Sequence, residues 1–130
     1  MVKSSKGSGD MKDYWLVIDW ERKTVEICFP DRENYTINAC LATISREQQE
    51  QMLLRLQEIT KDSPSFTLSY EYFTMEVNPW CIMCDFHMFD ESIRFMLFTD
   101  VFTKALEEYL TEMEKLRMGA KKGASHGTME

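Results

Sequence analysis

The sequence predicts a single α+β domain: a two-layer sandwich of antiparallel strands with two amphipathic helices on one face. Three observations predict it. Apolar residues alternate with a period of two in two separate regions, near residues 14–29 and 66–89. Two other regions, 45–59 and 100–116, carry apolar stripes at helical spacing. Strands come in runs broken by helices, the pattern of α+β rather than of alternating α/β chains. The expected order is ββαβββα.

The first pair of strands is a hairpin. Tyr14, Leu16, Ile18 and Trp20 alternate with Trp15, Val17, Asp19 and Glu21. Val25, Ile27 and Phe29 then alternate with Thr24, Glu26 and Cys28. A turn near 21–24 would pair Trp20 with Val25 and Ile18 with Ile27. Residues 30–44 form a connection opened by the turn signal Pro30-Asp31, and 35–37 could add a short edge strand. Ser45, with Gln48 three positions on, is a capping-box start for the first helix. Met52, Leu53, Leu56 and Ile59 form its apolar stripe, and it ends before Asp62-Ser63-Pro64.

A second hairpin spans 66–77 and 80–89 around Asn78-Pro79. Pairing Val77 with Trp80 sets Met75 opposite Ile82 and Phe73 opposite Cys84. Ile93, Phe95 and Leu97 alternate with Arg94, Met96 and Phe98, and we read a further strand after a turn at 90–92, in preference to an earlier start of the last helix. That helix is unambiguous from Asp100, with Val101, Phe102, Ala105, Leu106, Tyr109, Leu110, Met113 and Leu116 on one side. Gly119 is placed to end it. Residues 1–12 and 118–130 are rich in Gly, Ser and Lys and aperiodic, and are expected to be disordered tails around a domain at 13–117.

Charge narrows the function. Lys3, Lys6, Lys12, Lys121 and Lys122 are opposed in the two ends only by Asp10 and Glu130, a net +3. The total is −7, so residues 13–117 carry −10. Such a body repels phosphates, which argues against nucleic acid and anionic membranes and favours a basic protein partner. No apolar run is long enough to span a bilayer, and the first residues contain no apolar signal-peptide segment. With 44% apolar residues the chain can build a core without staples, so the four cysteines are expected to be reduced thiols of a cytoplasmic protein.

Catalytic and cofactor motifs are missing. All five glycines (Gly7, Gly9, Gly119, Gly123, Gly127) lie in the ends, so no glycine-rich loop can bring backbone up to a nucleotide phosphate. Cys81, Cys84 and His87 have the look of a metal or redox cluster. Strand geometry, however, sends Cys84 to the opposite face from the other two, so no metal or cofactor is expected. Asp85 and His87 share a strand face and could act as an oriented base, but they stand about 6.6 Å apart by strand rise.

If both hairpins join one sheet, Trp15, Val17, Asp19, Glu26, Tyr70, Tyr72, Asp85 and His87 make an aromatic, acidic outer face. Tyrosine and tryptophan bury much area at low entropic cost, as interfaces require. Beside it, Glu47, Glu50, Glu58, Asp62, Glu107, Glu108, Glu112 and Glu114 make the helix surfaces acidic, as any solvated helix face can be. The leading expectation is a non-enzymatic protein-binding module, of the kind that serves as an inhibitor, immunity protein or chaperone. It would bind through Trp15, Asp19, Glu26, Tyr70, Tyr72, Asp85 and His87. The alternatives are a small hydrolase or ligand-binding enzyme using Asp85 and His87, and a structural homodimer.

Overall fold

The computed structural model of the chain describes residues 13–30, 35–88 and 90–126. The fold is α+β with antiparallel sheets, as the sequence predicts. The elements are β1 (Trp15–Asp19), β2 (Thr24–Cys28), α1 (Tyr35–Ala42), α2 (Arg46–Gln57), β3 (Phe66–Ser69), β4 (Phe73–Val77), β5 (Cys81–Met88), β6 (Glu91–Phe98) and α3 (Thr99–His126). The predicted order stands as the frame. Its first helical block is a pair of helices, and its strand block has four strands. The strands form two sheets, β1-β2 and β3-β4-β5-β6.

Both hairpins sit two residues away from the expected registers. In the first, Ile18 pairs with Val25 and Leu16 with Ile27. Asp19 sets this register, because its carboxylate accepts from the backbone N–H of Glu21 and Arg22, both at 3.0 Å. The turn therefore begins one residue early, and Lys23 closes it at φ 59°. In the second, Val77 pairs with Ile82, Met75 with Cys84 and Phe73 with Phe86. A two-residue loop at Asn78-Pro79 would need positive φ, which proline cannot adopt. Asn78 instead closes a four-residue turn, accepting from Trp80 and Cys81 at 2.8 and 2.9 Å. A slip of two leaves every side chain on its expected face.

Residues 35–37 are helical, not an edge strand. The buried side chains of α1 are Thr36, Ile37, Cys40 and Leu41, a helical spacing in a stretch whose β-branched start suggests a strand. Ser45 caps α2 with the full capping box predicted for it. The stretch 66–77 breaks at 70–72, where Tyr70 N–H donates to Phe73 at 2.9 Å. The last helix does not end at Gly119 but runs to His126, so the expected tail begins inside it; a Cβ at Gly119 would stand 3.8 Å from the Trp20 ring. The expected tail at 1–12 lies outside the described residues.

One core joins everything. Phe73, Met75, Val77, Ile82 and Cys84 come from the four-stranded sheet, Ile27 from the hairpin, Leu41 and Met52 from α1 and α2, and Phe102 and Leu106 from α3. All are buried to within 1% of complete. The helix α3 touches β1, β2, α2, β5 and β6, and so forms the wall shared by both sheets. Replacing Phe102 with Ala should cost about 3–5 kcal/mol of stability, measured by urea unfolding. A loss under 1 kcal/mol would mean α3 is not the common wall.

Candidate functional site

Alternation along β3–β6 sorts the large sheet into two faces. Phe73, Met75 and Val77 of β4, Ile82, Cys84 and Phe86 of β5, and Phe95 and Leu97 of β6 lie on the core side of the sheet. The opposite face carries Thr74 and Glu76 from β4, Cys81, Met83, Asp85 and His87 from β5, and Ser92, Arg94, Met96 and Phe98 from β6. Among the described residues no helix packs on this side.

At one end of this open face lies an apolar block. Cys81 pairs with Phe98 and Met83 with Met96, so four apolar side chains form a two-by-two patch across β5 and β6. Phe98 is 54% exposed, and Trp80, in the turn at the same end, is 68% exposed. Thr99 N–H donates to the Trp80 carbonyl at 3.1 Å, and the Thr99 hydroxyl donates to Asn78 O at 2.8 Å. The turn is thus tied to the start of α3. Along the sheet from the apolar block, Arg94 grips Asp85 through two contacts of 3.0 and 3.3 Å. This pairing lowers the Asp85 pKa. His87 and Ser92 follow at the far end.

The residues singled out from the sequence do not meet on one sheet surface. Trp15, Asp19 and Glu26 belong to the separate β1-β2 sheet, with Trp15 half-buried opposite Cys28. The hairpin stays apart because β2 finds another partner. Asn38 of α1 accepts from Ile27 N–H and donates to Ile27 O, both at 2.9 Å, occupying the edge of β2 as a strand would. Tyr70 stacks on Phe73 with ring centroids 4.7 Å apart and packs against the core. Tyr72, in the same turn, is 38% exposed. Asp85 and His87 share the open face, Tyr72 lies opposite His87 where its carbonyl accepts from His87 N–H at 2.8 Å, and the Asp85 carboxylate is held by Arg94 rather than by His87. Sequence reasoning missed Met83, Met96 and Phe98. The signal was present as unbroken apolar runs at 82–83 and 95–98, which give a strand two apolar faces.

The cysteines divide as alternation requires. Cys84 is buried beneath the sheet, while Cys81 is half-buried on the open face. Among the described residues no group of three or more His, Cys, Asp or Glu could hold a metal. Burial pushes the Cys40 thiol up to about 12, and Cys84 is raised further by burial together with its neighbours Cys40 and Asp85.

A second concavity, of about 420 Å³, lies between β2, α1, α2 and α3 and is bounded by Val25, Leu41, Ile44, Arg46, Gln49 and Tyr109. Two of its polar side chains are tied to neighbouring groups. Gln49 donates to Leu41 O at 2.8 Å and bonds Tyr109, and Arg46 is paired with Glu50 and Glu114. Among the described residues no helix is long and apolar enough to cross a membrane. Comparison with protein-family models, with curated proteins and with solved structures finds no match.

Two outcomes follow from this geometry. In native protein a thiol reagent should modify Cys28 and Cys81, and reach Cys40 and Cys84 only on unfolding; rapid reaction of all four would contradict the core assignment. In an Arg94→Ala variant the Asp85 pKa should rise toward the ordinary carboxylate value in an NMR titration. A carboxylate with a lowered folded pKa stabilises the fold above its unfolded pKa, and that contribution disappears as pH falls through the lowered value. Arg94→Ala should therefore flatten the acid limb of the stability curve.

Proposed function

We propose that this protein is a non-enzymatic protein-binding module whose docking surface is the open face of the four-stranded sheet. The observation that carries this reading is the apolar block of Cys81, Met83, Met96 and Phe98, bordered by the exposed Trp80. Exposed aromatic side chains beside adaptable methionines are the composition of a contact centre, and a charged border is the composition of its rim. Asp85, Arg94, Glu76 and His87 supply that rim. The net charge of −7 favours a basic partner by steering its approach.

The reading of Asp85 and His87 as a catalytic pair lacks the contact it needs, because Arg94 occupies the carboxylate. Acidic helices also offer less than their composition suggests. Glu114 is shared by Arg46 and Arg117, Glu50 is paired with Arg46, and Glu112 with Lys115. The sheet face is the better surface, and the helices contribute charge at a distance.

The test is affinity capture from the lysate of the source cells with three immobilised proteins: the parent, Phe98→Asp with Met96→Lys, and Glu47→Lys with Glu58→Lys. A stoichiometric protein held by the parent should be lost from the first variant by more than about tenfold, as expected when a contact centre is removed. It should be retained by the second variant, though released at lower salt. Retention by the sheet-face variant would overturn the proposal, provided its thermal unfolding matches the parent's.

A further inference from the structure

The two edges of the large sheet are unlike. The edge strand β3 has four residues, and short edges resist pairing with other chains. The other edge, β6, has eight residues in unbroken register with β5, without proline or a bulge. Among the described residues no strand pairs with its outer side. Its two halves differ as well. The 97–98 end borders a small cavity of about 150 Å³ together with Asp13, Phe29 and Pro30, so the end of the hairpin flanks it. Glu91, Ser92, Ile93 and Arg94 are all exposed. Ile93 is 42% exposed although it lies on the core-facing side of the strand.

We infer that this free half of β6 pairs with β6 of a second copy of the chain, antiparallel about a two-fold axis through Ser92. The occupant follows from the charges. A sheet continued across such an axis keeps its inner faces on one side only when opposed residues lie on the same face. This leaves few registers. An axis at Glu91 sets two carboxylates opposite each other, and one at Arg94 sets two guanidinium groups together, both repulsive. An axis at Phe95 needs the end flanked by the hairpin. An axis at Ile93 sets Arg94 opposite Ser92 and the acidic Asp90 and Glu91 opposite Met96 and Phe95, so no charge meets its opposite. With Ser92 on the axis, Ser92 faces its own copy, Glu91 lies opposite the partner's Ile93, and Arg94 comes beside the partner's Asp90, twice over by symmetry. Ile93 becomes the diagonal neighbour of the partner's Ile93, within reach across an antiparallel pair. Asp90 is exposed in the β5–β6 turn, and Arg94, bound to Asp85 through Nε and Nη2, has Nη1 left to meet it. The result is a continuous eight-stranded sheet whose two open faces lie on the same side, so the dimer would present two docking surfaces to one partner.

Light scattering over a range of concentrations, combined with cysteine cross-linking, tests this. The cross-linking uses a chain in which the half-exposed Cys28 and Cys81 are replaced by serine. Mass should rise from that of one chain toward two as concentration increases. Under a mild oxidant, Ser92→Cys should form a disulfide dimer, because the two positions face each other, and Ile93→Cys should not. Asp90→Lys sets like charges together at both ends of the ladder and should weaken the dimer about tenfold while leaving thermal unfolding unchanged. A chain that stays monomeric at every concentration, or cross-links at Ile93→Cys in preference to Ser92→Cys, would overturn the inference. Neither outcome bears on the docking face, which is tested by the Phe98 and Met96 variant.

Discussion

Burial of the apolar stripe of α3 is the interaction on which the rest of the molecule depends. Phe102, Ala105 and Leu106 are fully buried, and Leu110 and Leu116 nearly so. Neither sheet can complete a core alone. A two-stranded hairpin is marginal in water, and a four-stranded sheet with one apolar face needs a second layer. The long helix supplies that layer to both. Ala105 belongs to this contact because a small side chain lets the helix backbone approach its neighbours closely. A consequence follows for the surface. With α3 drawn to one side of the large sheet, no helix among the described residues covers the other.

A second constraint keeps the hairpin and the large sheet distinct. Asn38 satisfies both the donor and the acceptor of Ile27, a backbone pair that would otherwise invite another strand. One amide side chain therefore closes this edge of β2 to a further strand. Trp15 of β1 stands in a sheet of its own, away from the face that carries Asp85 and His87. Among the described residues no such device guards residues 91–94 of β6, and the contrast between the two edges gives that strand its interest.

Electrostatics in this protein is largely local. Arg46 joins α2 to α3 by bridging Glu50 and Glu114, and Arg117 shares the same Glu114. These partners hold the Glu114 pKa down. Exposed pairs of this kind add little to stability and are weakened by salt. Their effect is to distribute a negative charge that would otherwise gather on the helices. The open sheet face follows the same pattern, since Arg94 neutralises Asp85 beside the apolar block and leaves Glu76 and His87 at the margin.

Residue order alone determined a good deal here. Period-two alternation located the strands and assigned side chains to faces, and those assignments survived two register errors because each error was an even number of residues. Ser45 and Gln48 located the start of α2 through a local bond pattern that needs no tertiary partner. Cys84 was separable from Cys81 and His87 by parity alone. The break at 70–72 was missed, although the apolar positions change there from even (Phe66, Leu68) to odd (Phe73, Met75, Val77). Tertiary structure decided the rest, and in each case the cause was a contact distant in sequence. Residues 35–42 became a helix because Ile37, Cys40 and Leu41 face a core built by later elements. The hairpin forms its own sheet, with its β2 edge occupied where Asn38 reaches Ile27. The proposed docking face moved from the tyrosines to Met83, Met96 and Phe98 because only the packing of α3 reveals which apolar side of β5 and β6 is covered. A strand that is apolar on both faces gives no sign in its sequence of which face will be buried, and that choice is made by the helix that packs against it.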